Sequence, residues 1–119
     1  MKTLLSLLLV LHFTLLNEPK LLVKTETIQF TVKKGIKKKI NVPIQNTGDA
    51  PLIIYAVEPT CGCTVSEFPK VPIKAGENGN IFLEFDSAKK PVGTGSVNII
   101  IKSNTRYKYA RIVLVASVI

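Results

Sequence analysis

From Thr25 onward apolar side chains fall at every second position, a period that β-strands satisfy and helices do not. In Glu26–Val32, Ile28, Phe30 and Val32 alternate with Thr27, Gln29 and Thr31. Lys37–Gln45 repeats the pattern through Ile40, Val42 and Ile44, and Pro43 marks an edge position or a bulge because it has no backbone donor. Asn80–Asp86 carries Ile81, Leu83 and Phe85, and Ser96–Lys102 carries Val97, Ile99 and Ile101. Shorter signals place strands at Thr64–Phe68 and Tyr107–Val118. Pro51–Glu58 differs, since Leu52–Val57 is apolar without alternation, which predicts a strand covered on both faces. Lys33-Lys34-Gly35 reads as a tight hairpin in which Gly35 takes a positive φ. Asn46-Thr47-Gly48-Asp49, Lys89–Gly95 and Ser103-Asn104-Thr105 are further turns, and Pro69–Gly79 is a loop.

About seven short strands without a helical period predict an all-β fold, an immunoglobulin-like antiparallel β-sandwich over residues 25–119. One pleated face must be dry for such a domain to be stable. The predicted interior is therefore Ile28, Phe30, Ile40, Val42, Ile44, Ile54, Ile81, Leu83, Phe85, Val97, Ile99 and Ile101.

The amino terminus breaks the pattern. Met1–Leu16 has one lysine and then an apolar run from Leu4 to Leu16. As a helix that run spans about 20 Å, short of the roughly 30 Å hydrocarbon core, and this length suits a secretory signal peptide. Residues 1–22 are expected to be a signal peptide, cleaved near Leu16–Lys24, or else an uncleaved amino-terminal anchor. No cysteine stands there to carry a lipid. Export to the periplasm or cell envelope follows, with membrane contact only through this segment if it stays uncleaved.

The formal net charge of +8 invites a nucleic-acid reading. The basic residues are scattered along alternating strands, however, so no nucleic-acid partner is expected. Lys33, Lys34, Lys37, Lys38 and Lys39 gather at one turn. They form either an anion-binding patch or a guard against edge-to-edge aggregation, and the guard is the simpler reading. Catalysis finds little to work with. The one histidine, His12, lies in the leader, so the body has no Ser-His or Cys-His pair. Asp49, Glu58, Glu67, Glu77, Glu84 and Asp86 have no spacing that forces two together, and there is no phosphate loop. A non-enzymatic protein without a cofactor is expected.

Cys61-Gly62-Cys63 is the one motif with chemistry in it. Residues two apart in extended chain lie roughly 6.6 Å apart, at the upper end of the disulfide range, so a bridge needs a turn at Gly62. Such a small loop gains little entropy, which makes the bridge a poor staple. Four readings stand: a structural pair (free buried thiols or a local bridge), Cu(I) binding, thiol redox chemistry, and pairing with another protein's cysteine.

The ordered set Asn46-Thr47-Gly48-Asp49-Ala50-Pro51-Leu52, Cys61-Gly62-Cys63-Thr64, Pro72-Ile73-Lys74-Ala75-Gly76-Glu77, Phe85-Asp86 and Ser103-Asn104 resembles the bacterial domain-of-unknown-function family 1573. That family is similar to the domains of abnormal-spindle, spindle-defective and hydrocephalus-type proteins. The chain departs from it at Phe30-Thr31-Val32, where the family has a Phe-Gly-type step. The resemblance implies an exported, envelope-associated, non-enzymatic immunoglobulin-like module. The expected function is binding or structural, with an envelope protein or a polysaccharide as partner. The rival is a Cu(I)-binding or redox protein acting through Cys61 and Cys63.

Overall fold

A computed structural model describes residues 17–119. The expected leader run and His12 lie outside the described residues. The strands are β1 (Leu21–Val23), β2 (Thr27–Val32), β3 (Lys37–Asn46), β4 (Ile54–Pro59), β5 (Thr64–Glu67), β6 (Asn78–Asp86), β7 (Gly93–Ser103) and β8 (Tyr109–Val118). A single 3-10 turn, Ser87–Lys89, joins β6 to β7. One sheet has the order β1-β3-β6-β5 and the other β2-β8-β7-β4. Apart from a first strand divided between the sheets, this is the strand set of the constant-type immunoglobulin sandwich.

The alternation does what it predicts. Val42 and Ile44 of β3 and Ile81, Leu83 and Phe85 of β6 meet Val97, Ile99 and Ile101 of β7 across the interior. Ile112, Leu114, Ala116 and Val118 of β8 complete that layer. Phe30 and Phe85 join the sheets edge to face, with ring centroids 5.3 Å apart. Every residue of the predicted interior is buried except Ile28, Phe30 and Ile40, which are half-buried and packed against its rim. Ile28 and Phe30 sit there because β2 is an edge strand. Ile40 lies on the length of β3 that β1 does not cover.

Four expectations need correcting. The sandwich is not wholly antiparallel: β2 pairs with β8 in parallel, Thr27 opposite Val113 through Val32 opposite Val118. Lys33-Lys34-Gly35 is a turn, with Gly35 at φ +89°, but not a hairpin, because it carries the chain from β2 in one sheet to β3 in the other. The run Leu52–Val57 is not covered on both faces. Ile53 and Tyr55 are exposed, and a bulge between Ile54 and Ala56 shifts the phase so that Ile54 and Val57 both turn inward. Finally, a short strand, β1, lies ahead of residue 25 and pairs antiparallel with Ile44–Asn46.

Pro43 sits where β1 runs out: its carbonyl accepts from Lys24 N at 3.3 Å, so the side on which it lacks a donor is the one that becomes an open edge.

The loops collect at two poles. The near pole holds Glu18–Lys20, the β3–β4 connection, the loop around Ile73 and the β7–β8 hairpin. The far pole holds the β2–β3 turn, the Cys61–Cys63 connection, the 3-10 turn and Ile119.

Candidate functional site

At the far pole Cys61 and Cys63 are joined by a disulfide, with their Cα atoms 5.2 Å apart. The backbone turns at Gly62, as a bridge over so short a span demands. Cys63 is buried and Cys61 is half-buried against the core. The turn docks on the end of β6, where Asp86 N donates to Cys63 O at 2.7 Å. Thr64 Oγ1 lies 3.5 Å from Cys63 Sγ. Of the four readings of the pair, the geometry matches a local bridge in a packed turn. Bridged sulfurs are not thiolates, and among the described residues no group of three metal-ligating side chains stands together. Nothing in the geometry supports the Cu(I) or redox alternative.

The lysines divide. Lys33 and Lys34 lie in the turn, where Lys34 Nζ donates to Lys90 O at 2.6 Å. Lys37, Lys38 and Lys39 lie on the uncovered length of β3, with Asp86 opposite Lys37 and Glu84 opposite Lys39. Opposite charges in register compensate the lysines, and lysines along an open edge resist edge-to-edge pairing.

The most specific motifs of the sequence turn out to be internal ties. Asn46 is fully buried. Its Nδ2 donates to Ala50 O at 2.7 Å and Ile73 O at 2.9 Å. Its Oδ1 accepts from Gly48 N at 3.0 Å and Lys20 N at 3.3 Å. Gly48 is required because a Cβ there would strike the backbone of Glu18, Pro19 and Lys20. Ser103-Asn104 does similar service for the β7–β8 hairpin. Asn104 Oδ1 accepts from Ile53 N at 2.8 Å, and its Nδ2 donates to Pro51 O at 3.1 Å. At the far pole Ser87, also fully buried, accepts from Ile36 N at 2.8 Å and shares its proton between Lys33 O and Ile36 O.

These ties brace a surface that the sequence reading passed over. All three tyrosines of the chain lie at the near pole, and all are exposed: Tyr55 61%, Tyr107 82% and Tyr109 62%. Tyr55 and Tyr109 line an open cleft of about 450 Å³ together with Lys102, Ser103, Asn104, Thr105 and Lys108. A second cleft of about 370 Å³ shares Tyr109 and Thr105 and adds Tyr107, Arg106 and Lys20. Lys108, between Tyr107 and Tyr109, is the one non-glycine among the described residues with positive φ, at 65°. Tyr109 N donates to Tyr107 O at 2.7 Å across it, a three-residue turn that L-residues adopt at a cost. The signal was available in the order Arg106-Tyr107-Lys108-Tyr109, basic and aromatic residues alternating at a hairpin tip.

The model of the family described as "Protein of unknown function (DUF1573)" matches residues 21–118, starting at β1. No curated protein matches the chain. A protein of unknown function from Porphyromonas gingivalis W83 superposes with TM-score 0.71 at 18% identity, over 85% of this chain and 46% of that one. The ASH / PapD-like domain 7 of human CEP192 superposes with TM-score 0.64 at 13% identity, over 86% and 87%. The periplasmic chaperone SfaE gives TM-score 0.61 at 10% identity, over 82% and 57%. This chain thus spans about half the length of the Porphyromonas protein and of SfaE. At such identities these likenesses establish the fold alone. The chain belongs to the DUF1573 family.

Proposed function

We propose that this DUF1573 member is an exported, non-catalytic binding module of the bacterial envelope, and that its near pole is the recognition surface. The observation that carries the proposal is the collection there of every tyrosine of the chain, all exposed: Tyr107 and Tyr109 on a hairpin braced by Asn104, and Tyr55 on β4. Rigid aromatic side chains beside an Arg are what binding surfaces are enriched in, because they offer area and polar contacts at low entropic cost. Export is supported by the leader-like run at Leu4–Leu16 and by the disulfide, since such bridges persist in oxidising compartments. The proteins of similar fold include a periplasmic chaperone, consistent with a module that holds another molecule.

The non-catalytic part is supported by three of the eight carboxylates, which are engaged within the fold. Asp49 accepts from Glu18 N, Asp86 caps the 3-10 turn, and Glu58 pairs with Lys102 at 3.3 Å.

Two measurements test the proposal. Cell fractionation should find the protein in the envelope fraction; the full-length chain soluble in the cytoplasm overturns export. Purified protein should bind envelope preparations saturably, and Tyr109→Ala should lose most of that binding. Equal binding by the variant shows that the near pole is not the surface used.

A further inference from the structure

The cleft between Tyr55 and Tyr109 has a composition that narrows its ligand. Among the described residues lining it there is no aliphatic side chain: two aromatic rings, two lysines, two hydroxyls and one amide make up the whole. Aliphatic surface is confined to the adjoining cleft, where Pro19, Leu21 and Ala110 stand. Exposed tyrosine rings, each with a phenolic hydroxyl, suit a ligand with both C–H faces and hydroxyls, which is the surface of a pyranose ring.

Charge completes the assignment. Lys108 and Arg106 flank the tyrosines, Lys20 lies along the adjoining cleft, and the one acid there is Glu18. Lys102 is offset by Glu58, so the excess comes from Lys20, Arg106 and Lys108. The two clefts share Tyr109 and Thr105 and therefore adjoin, so a track across both would take several successive units of a chain.

We propose that this track binds an acidic polysaccharide, with Tyr55 and Tyr109 stacking on the faces of its pyranose rings and Arg106 and Lys108 pairing its carboxylates. The assignment rests on the binding-module reading above and names the class of its ligand. The strained turn at Lys108 fits this role, since it sets Tyr107 beside Tyr109 in one cleft and leaves Tyr109 shared with the other.

The chain has no tryptophan and its three tyrosines all lie on this track, so intrinsic tyrosine emission reports on this site alone. The test titrates the full chain with three probes: oligogalacturonate, a neutral oligoglucan and polyglutamate. Saturable change with oligogalacturonate, weakened by added salt and absent with the oligoglucan, is the expected result. Binding followed calorimetrically should fall about tenfold in Tyr109→Ala and about threefold in Arg106→Gln. Tyr107→Ala, the most exposed site, serves if Tyr109→Ala fails to fold. Phe82→Ala, on the outer face of the other sheet, should bind as the parent does. Equal response to the neutral oligomer, or Tyr109→Ala and Tyr107→Ala both binding normally, overturns the assignment. Saturation by polyglutamate alone overturns the glycan class and leaves the binding surface standing. Silence toward both acidic probes overturns both.

Discussion

At the near pole one buried side chain, Asn46, ties the amino-terminal segment, its own turn and the Ile73 loop, whereas at the far pole that task is divided between Ser87 and the Cys61–Cys63 bridge. The difference lies in redundancy. Removing Asn46 leaves Gly48 N, Lys20 N and Ala50 O without a side-chain partner, and only Ile73 O keeps a second donor, Leu52 N. The groups around Ser87 have backups: Ile36 N also reaches Lys33 O, and Ile36 O also accepts Ser87 N. At the near pole the junction of the amino-terminal segment, the β3–β4 turn and the Ile73 loop therefore depends on one residue, with Asn104 bracing the hairpin beside it, and the far pole tolerates loss better.

The largest effect should come from breaking what both poles share. Ile99, fully buried, lies between Pro59 and Ile112 in the sheet that spans pole to pole. Ile99→Asp places an unpartnered charge there and should cost more than about 4 kcal/mol, enough to unfold the domain. Thr31→Asp, exposed on β2, should change stability by less than about 0.5 kcal/mol. Comparable denaturant midpoints for the two would mean that the faces are misassigned.

Next comes Asn46→Ala, expected to lose about 2–4 kcal/mol through its unsatisfied partners. Hydrogen exchange should show protection lost first at Thr47 and Asp49, whose amides donate to Lys20 O and Glu18 O. Ser87→Ala should lose about 1–2 kcal/mol, with exchange rising at Ile36 instead. If Ser87→Ala proves the costlier of the two, the contrast in redundancy is wrong.

Of the three ties, the cysteines should matter least. Replacing both by serine opens a loop with a sequence separation of 2, so chain entropy predicts a loss near 1 kcal/mol. A much larger loss in chemical denaturation would mean that the buried Cys63 side chain, rather than the covalent link, holds the turn.

Most of the sandwich was legible because alternation is a local property. Val42, Ile44, Ile81, Leu83, Phe85, Val97, Ile99 and Ile101 point inward as their spacing demands. What escaped was non-local. A glycine turn at Gly35 announces that the chain changes direction, but whether the flanking strands pair depends on which sheet each joins. The parallel partnership of Thr27–Val32 with Val113–Val118 leaves no mark in either segment alone. β1 was hidden because Leu21-Leu22-Val23 reads as a continuation of the leader's apolar character. The tyrosine surface was missed for a similar reason. Tyr55 sits inside an apolar run that reads as core, yet it follows buried Ile54 on the outer face, far from Tyr109 in sequence and lining the same cleft in space.

That parallel ladder has a mechanical consequence. Because β2 and β8 run in the same direction, the described chain enters the sandwich at one end and leaves it at the other, where Lys34 N holds Ile119 O at 3.0 Å. Tension applied along the chain would slide β2 past β8 lengthwise instead of peeling it away. The rungs from Thr27–Val113 to Val32–Val118 would then resist together, whereas an antiparallel hairpin opened from its end gives way one rung at a time.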